Sequence, residues 1–371
     1  MHLQTHRIST PDASQALTLT SLHFGHRGVG KKAYIQAALH ADEAPGMLVA
    51  QFLRQQLQAL EAAGRINGEV ILVPAANPIG LAQAIHGQPF GRFDLAGGVN
   101  FNRAFPHLAG ELIPALAGKL GRDADANIRT VRDTTLALLR ARKPRTDDEA
   151  LKLALLTMAI DADIVLDLHC DNEALLHVYA GAALADAAMP LAQLLGAHAL
   201  LVARAAGGEP FDEACSRLWW ELQDHFPLVP LGPACFAATV ELRGESEVDY
   251  SLARRDAEAL LRFLALQGML AGDGTALPPA MCAATPLEGV EPLYAPHAGV
   301  LVYSRALGER LQPGDAIADI IDPVSGATSA VRCTVAGVFF ARSAHRHVLR
   351  GMNIGKVAGQ AAYRSGQLLS Q

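Results

Sequence analysis

Two histidines and one glutamate in this sequence have the side-chain chemistry of zinc ligands. His40 and Glu43 are three residues apart in the stretch AALHADEAPG, and His169 follows the apolar run DIVLDL. Zinc binds imidazole nitrogen and carboxylate oxygen, and catalytic zinc sites use three protein ligands and leave one position open. The HxxE pair alone is a weak signal, because this spacing is common by chance and more often belongs to an ordinary loop. Together with His169 it predicts a metal site.

Other polar residues could complete a catalytic pocket around such a metal. Glu241 follows the apolar stretch FAATV, and a carboxylate there is costly to bury unless it has a function or a partner. Arg243 could be that partner, which is the structural alternative. Asn102 and Arg103 lie in a glycine-rich stretch, where a guanidinium can hold a substrate carboxylate through two hydrogen bonds. Arg92 could reach the same pocket, and for each arginine a solvated loop position is the alternative.

Buried strands and amphipathic helices must position these residues. AYIQAALH and EVILVPAAN are apolar enough for buried strands, and PGMLVAQFLRQQLQALEAAG between them has helical periodicity. A second helix opens with a capping box, Thr146 to Glu149, and leads into the strand DIVLDLH. Further strands are expected at LLHVYA, AHALLVA and FAATVEL. The alternation predicts an α/β fold with a mixed, mostly parallel sheet and helices on both faces.

In this fold His40 and His169 are both expected at the carboxyl ends of strands, where open α/β sheets build their sites. Strand alternation puts Asp167 on the face of His169, where it could orient a site residue. Cys170 then points to the opposite face, and we expect it to be a core thiol.

The chain divides into two unequal parts at a small, Gly/Pro-rich stretch. We expect a catalytic domain over 1–270, a linker over 271–284 and a small β domain over 285–371. The last segment has short strands and regular glycine turns, and it resembles a biotinyl/lipoyl-like barrel. Its only lysine, Lys356, lies near its end and the probable hairpin tip DPVSGATS has none. A swinging-arm function is therefore not expected.

Composition narrows the possible partners and the compartment. The 371 residues are 50% hydrophobic and carry a formal charge of −6, with no basic cluster that could neutralise phosphates. A nucleic-acid partner is therefore not expected. Five dispersed cysteines do not form a disulfide framework, and the polar N-terminal stretch has no apolar signal region. We expect a cytoplasmic protein without a membrane span.

In chain order the motifs resemble those of one family. They are His40-x-x-Glu43, Asn77-Pro78, Asn102-Arg103, Asp167-Leu168-His169 and Glu241-Leu242. They resemble the succinylglutamate desuccinylase/aspartoacylase branch of the zinc carboxypeptidase-like superfamily, over roughly residues 30 to 265. The small C-terminal β domain is also typical of that branch.

The resemblance implies a role for each motif. His40, Glu43 and His169 would hold one zinc ion. Glu241 would be the general base that takes a proton from the attacking water and passes it to the leaving amine. Arg103, with Asn102, would bind the substrate carboxylate.

Two positions depart from the pattern of the family. An arginine that helps to stabilise the oxyanion can directly follow Asn-Pro, and Ile79 stands there in this chain. Arg92 is the best substitute. Two residues before the Asn-Arg pair the family often has Asp, where this chain has Asn100. An amide oxygen can still accept an imidazole N–H, but without a charge, and we expect slightly weaker zinc affinity.

The favoured function is a zinc amidohydrolase that removes an acyl group from a small N-acyl amino acid or related amine bearing a carboxylate. The alternatives are a metallocarboxypeptidase that acts on peptide C-termini and a zinc-dependent binding protein without turnover. The mostly helical insertion at 107–149 could cap the site or lie on the surface. A homo-oligomer is compatible with the sequence.

Overall fold

A nine-stranded mixed sheet forms the centre of the molecule. The structure is a computed structural model that describes residues 1–10, 14, 16–272 and 276–369. The first twelve strands of the chain are β1 (His2–Arg7), β2 (Thr18–Gly25), β3 (Lys32–Ala37), β4 (Glu69–Val73), β5 (Ala84–Ile85), β6 (Gln88–Pro89), β7 (Ile164–Asp171), β8 (Glu173–Ala174), β9 (His177–Gly181), β10 (Ala199–Ala203), β11 (Phe236–Gly244) and β12 (Ala284–Pro286). The spatial order of the large sheet is β1-β2-β4-β3-β7-β11-β9-β10-β12. Five neighbouring pairs are parallel and three are antiparallel. The predicted mixed, mostly parallel sheet is confirmed.

Helices cover both faces of this sheet, as predicted. They are α1 (Pro45–Ala62), α2 (Pro78–Leu81), α3 (Ala109–Leu116), α4 (Ala124–Ala141), α5 (Asp147–Ala159), α6 (Ala185–Leu195), α7 (Phe211–His225) and α8 (Tyr250–Leu266). Helices α1, α6 and α8 share one hydrophobic core with Ile164, Leu166 and Leu168 of β7. Helices α3, α4, α5 and α7 share a second core with Val165. Successive β7 side chains therefore alternate between the two faces, as a strand requires.

The insertion at 107–149 contributes to the second core. Leu112 of α3, together with Val131 and Leu139 of α4, is fully buried there. The predicted helix start at Thr146 is present, since the Thr146 side chain accepts a hydrogen bond from the Glu149 N–H at 3.4 Å. The Glu149 carboxylate accepts from the N–H of Arg145 at 2.7 Å, one residue earlier than a capping box predicts. These helices pack against the sheet as part of the main fold.

The C-terminal part of the chain forms two small antiparallel sheets with a core of their own. Its strands are β13 (Val290–Tyr294), β14 (Gly299–Tyr303), β15 (Arg310–Leu311), β16 (Ala316–Ile321), β17 (Thr328–Arg332), β18 (Gly337–Arg342), β19 (His347–Val348) and β20 (Asn353–Gly359). One sheet has the order β13-β20-β18-β15 and the other β17-β16-β14-β19. The predicted all-β character of this part is confirmed.

The two parts of the chain also exchange strands. β12, at the end of the expected linker, lies parallel to β10 and extends the large sheet. Conversely, β8 pairs with β18 of the C-terminal sheet. Residues 273–275 of the expected linker lie outside the described residues. In the described part of the chain, no helix is both long enough and apolar enough to cross a membrane.

Two strands end earlier than the sequence predicts. β3 ends at Ala37, so the expectation that His40 ends this strand is wrong by three residues. The left-handed conformation of Ala38, with φ +60°, turns the chain out of the sheet and places His40 in the following turn. β4 ends at Val73, and Asn77 instead caps α2, where its side chain accepts from the Gly80 N–H at 2.8 Å.

Candidate metal centre and active site

The three predicted metal ligands lie together in the structure. Nδ1 of His40 is 2.8 Å from Oε1 of Glu43, and Nδ1 of His169 is 2.8 Å from Oε2 of the same carboxylate. The candidate ligand atoms of all three side chains lie within 4.8 Å of one another, and all three residues are buried. Two imidazoles and one carboxylate at this separation are a donor set that zinc accepts.

The local fold explains this convergence. β3 and β7 are parallel neighbours, with Ala37 opposite Leu168, so the turn after β3 lies beside the end of β7. Helix α1 begins at Pro45, two residues after Glu43, and approaches β7 closely at Gly46. A Cβ atom at Gly46 would lie 3.1 Å from the Leu168 carbonyl oxygen and 3.2 Å from the Ala37 Cβ. Glycine at this position therefore allows the close approach of α1 that carries Glu43 to the two histidines.

The far nitrogen of each imidazole faces an oxygen acceptor. Nε2 of His40 lies 2.8 Å from Oδ1 of Asn100, and that oxygen also accepts the Asn102 N–H at 2.9 Å. Nε2 of His169 lies 2.9 Å from Oδ2 of Asp167. Asn100 thus lies beside the imidazole of His40, and Asp167 beside that of His169.

This arrangement fits a cation between the histidines and Glu43. A neutral imidazole has one N–H and one lone pair. If Nε2–H donates to Asn100, the Nδ1 lone pair of His40 faces a carboxylate oxygen, which is unfavourable unless a proton, a metal ion or another donor lies beside both atoms. Burial lowers the pKa of His40, so a proton there is disfavoured, whereas Asp167 and Glu43 raise the pKa of His169 well above its usual range although burial opposes this. Glu43 keeps its charge, because the two histidines lower its pKa well below the usual range although burial opposes this.

Arg92 reaches the same cluster. Its Nη1 lies 3.2 Å from Oε1 of Glu43 and 3.3 Å from Nδ1 of His40, and its side chain is 40% exposed. The guanidinium therefore lies at the edge of the candidate metal site.

The Asn102-Arg103 pair is held by the loop before α7. Oδ1 of Asn102 accepts the Phe211 N–H at 2.9 Å, and Nδ2 of Asn102 lies 3.4 Å from Nε2 of His169. Nη1 of Arg103 donates to the Asn102 carbonyl oxygen at 2.7 Å. A Cβ atom at Gly208 would come within 2.8 Å of Cδ of Arg103, so this glycine makes room for the arginine. Both residues line the pocket that contains His40 and His169.

Glu241 lies beside the candidate ligands on the neighbouring strand. Its register partner on β7 is His169, and its partner on β9 is His177. Its Oε2 atom is buried and has no hydrogen-bond partner among the described residues. Burial, reinforced by the charge of Glu43, raises the pKa of Glu241 to about 8.

Arg243 does not neutralise Glu241, so the structural alternative for this carboxylate is wrong. Its guanidinium binds Asp256 of α8. The pairing of β11 with β7 is interrupted between Glu241 and Gly244, and Arg243 has a φ of +71°. Regular strand alternation would put Arg243 on the face of Glu241, but this irregularity turns it away from that face.

The structure adds residues that sequence reasoning did not assign to the site. Lys356 of β20 donates to Asp171, two residues after His169, and both side chains line the pocket. Cys170 is buried as predicted, but it also lines the pocket, and its N–H donates to Oε2 of Glu43 at 2.9 Å. Tyr179 lies on the same wall. Only long-range packing brings Lys356 to this site, and no local sequence signal marks it.

The match to a family model decides the classification. The succinylglutamate desuccinylase/aspartoacylase catalytic domain model matches residues 29–267, which is more than half of the chain. The chain belongs to this family. The resemblance carried by the sequence motifs is thereby confirmed.

Solved structures of two family members are similar over almost the whole chain. A family protein of Shewanella amazonensis SB2B is 28% identical, with a TM-score of 0.83, over 96% of this chain and 98% of its own. One of Shewanella frigidimarina NCIMB 400 is 25% identical, with a TM-score of 0.85, over 96% and 97% of the two chains. The ectoine utilization protein EutE (DoeB) of Ruegeria pomeroyi, 17% identical with a TM-score of 0.68 over 96% and 95%, shares the fold. Comparison with curated proteins gave no match.

Proposed function

We propose that the protein is a zinc-dependent amidohydrolase that removes the acyl group from a small N-acyl amino acid or related N-acyl amine. One zinc ion per chain would be held by His40, Glu43 and His169. The observation that carries this proposal is the convergence of these three donors beside Glu241, whose Oε2 atom has no partner among the described residues. The family of the chain, which is named for deacylases, supports the same reaction class.

Each polar group of the pocket then has a task. When bound, zinc would supply a Lewis acid that polarises the scissile carbonyl and lowers the pKa of water. Glu241 would accept a proton from the attacking water and donate it to the leaving amine. Arg92 would stabilise the negative charge that develops on the carbonyl oxygen. Arg103, with Asn102, would bind the carboxylate of the substrate through charge-assisted hydrogen bonds.

The walls of the pocket favour a small substrate over a peptide. Lys356, Leu287 and Leu369 from the C-terminal part of the chain line the pocket together with the catalytic residues. These residues narrow the space beside the catalytic residues, and a narrow site suits a small molecule better than a peptide chain. A metallocarboxypeptidase would need an open groove, and a binding protein without turnover would not need the carboxylate of Glu241.

We also propose a cytoplasmic location, because the described cysteines are all free thiols. Neither a nucleic acid nor a membrane is proposed as a partner. The protein could form homo-oligomers.

Zinc analysis and a hydrolysis screen test the function. We expect about one zinc per chain, and turnover of N-acyl amino acids in preference to peptides with a free C-terminus. Glu241→Gln should lower kcat by about 10²–10⁴-fold without changing the zinc content. Glu258→Gln, on the exposed side of α8, is the matched control. Full activity in Glu241→Gln, or preferred cleavage of peptides, would refute the proposal.

A further inference from the structure

One wall of the active-site pocket is apolar. It is formed where the large sheet packs against the C-terminal sheet, by Ala180, Leu201, Ala203, Ala206, Leu287 and Leu369. All six except Ala180 belong to, or pack against, the hydrophobic cluster at that junction. The polar residues that would perform the chemistry line the same pocket. A bound substrate therefore meets both a polar and an apolar surface.

The segment 363–369, called the strap below, builds the outer part of this wall. The N–H of Tyr363 donates to the Glu288 carbonyl oxygen at 2.7 Å, and the N–H of Leu368 donates to the Ala206 carbonyl oxygen at 2.8 Å. Leu368 is 3% exposed and packs into the junction core, whereas the next residue, Leu369, lines the pocket. The position of Leu369 is thus fixed by backbone bonds and by a buried neighbour.

The strap and Arg103 lie against the same short loop. A Cβ atom at Gly207 would be 3.2 Å from Cα of Gln367 in the strap, and one at Gly208 would be 2.8 Å from Cδ of Arg103. The carbonyl oxygen of Gly208 also accepts the N–H of Ala104 at 2.8 Å. A substrate whose carboxylate binds Arg103 would therefore place its neighbouring atoms next to the apolar wall.

The charges around this region disfavour a second carboxylate on the substrate. Asp212 and Glu213 line the same pocket. Burial raises the pKa of Asp212 to about 6 and that of Glu213 to about 7, so additional negative charge there is unfavourable. Lys356 is paired with Asp171, and Arg92 is in contact with Glu43. Lys356 cannot neutralise an acidic side chain without losing its partner, and the proposed function assigns Arg92 to the carbonyl oxygen.

We propose that the amino-acid part of the substrate carries one carboxylate, bound by Arg103, and an apolar side chain, bound by the wall that Leu369 completes. Substrates of the N-acyl-leucine or N-acyl-methionine type fit this description, whereas N-acyl-aspartate and N-succinylglutamate do not. This proposal rests on the proposed deacylase function, which it makes more specific. Leu369 is then a specificity-determining residue.

Kinetics with a series of N-acyl amino acids test this assignment. We expect kcat/KM for N-acetyl-L-leucine to exceed that for N-acetyl-L-aspartate and N-succinyl-L-glutamate by at least about tenfold. Leu369→Ala should lower kcat/KM for N-acetyl-L-leucine by about tenfold, mainly through KM, and change that for N-acetyl-L-alanine less than about threefold. Leu369→Met, which nearly conserves volume, should keep the preference. Val324→Ala, at a side chain 94% exposed, is the control.

Calorimetry separates this proposal from the deacylase function on which it rests. Zinc-loaded protein should bind L-leucine more tightly than L-aspartate, and Leu369→Ala should reduce the difference. If no N-acyl substrate is hydrolysed but L-leucine binding depends on Leu369, the deacylase function fails and the apolar subsite stands. Tighter binding or faster turnover of the aspartate compounds, or a leucine preference unchanged in Leu369→Ala, would overturn the inference.

Discussion

Replacing Asn100 by aspartate should tighten the binding of zinc. The Asn100 side chain is 5% exposed, and its Oδ1 lies 2.8 Å from Nε2 of His40. Its Nδ2 is buried and has no hydrogen-bond partner among the described residues. Asn100→Asp therefore replaces an unsatisfied donor by a second oxygen and adds a negative charge behind a metal ligand, while Oδ1 can still accept the N–H of Asn102.

The magnitude follows from two opposing effects. With a Zn–N distance of about 2.1 Å, the new carboxylate lies about 6 Å from the ion. At an effective dielectric constant of about 20, one negative charge attracts a divalent cation at that distance by about 5 kcal/mol. Burying the carboxylate costs several kcal/mol. The remainder, about 1–2 kcal/mol, corresponds to roughly tenfold tighter binding, which is within the range for groups that support a metal ligand.

The assay is competition for zinc against a chelator of known affinity, at fixed pH and ionic strength. Asn67→Asp adds the same charge at an exposed site away from the metal centre and serves as the control. We expect Asn100→Asp to lower the zinc Kd about tenfold and Asn67→Asp to leave it unchanged. An unchanged or higher Kd in Asn100→Asp would show that desolvation cancels the attraction, and would refute this reasoning.

Three further predictions concern the supports of the site. Lys356→Met should lower the free energy of unfolding in urea by about 1–3 kcal/mol, because it leaves Asp171 without its ion-pair partner. The loss is modest because both side chains are about one quarter exposed. Adding Asp171→Asn should restore most of the lost free energy. Gly46→Ala should lower the free energy of unfolding by about 1–3 kcal/mol and raise the zinc Kd, because a Cβ there pushes α1 away from β7. Burial lowers the pKa of His177 from 6.5 to about 4. The unfolded chain therefore takes up this proton first as the pH falls. The wild type should lose about 3 kcal/mol of its free energy of unfolding between pH 6.5 and 4, and His177→Gln should not show this loss. Equal pH profiles from urea unfolding would contradict this.

The sequence predicts those parts of the site that depend on local periodicity. Alternation in DIVLDLH correctly separates the face of Val165, Asp167 and His169 from that of Ile164, Leu166 and Leu168, because the period of two is a property of the strand itself. The same rule fails at Arg243, where a strand irregularity depends on how β11 pairs with β7. The position of His40 beyond β3 likewise depends on the left-handed conformation of Ala38, which the preferences of alanine do not indicate.

The residues that the sequence could not place come from distant parts of the chain. Lys356 and Leu369 reach the pocket only because the C-terminal sheet packs against the large sheet, and no spacing rule connects them to His169 or Glu241. From the sequence, Lys356 is notable only because it does not lie at the expected hairpin tip, where a swinging-arm lysine would be. Contacts between distant segments depend on the packing of whole sheets, so a single sequence shows their chemistry but not their partners.

The exchange of strands between the two parts of the chain bears on how the protein matures during synthesis. β8 follows the strand that carries His169, yet its hydrogen-bonding partner is β18, and among the described residues the ion-pair partner of Asp171 is Lys356 of β20. When the ribosome has made only the first 284 residues, the end of β7 still lacks both supports. We therefore expect stable metal loading to follow the emergence of β20, so that a prematurely terminated chain would neither retain zinc nor acquire hydrolytic activity.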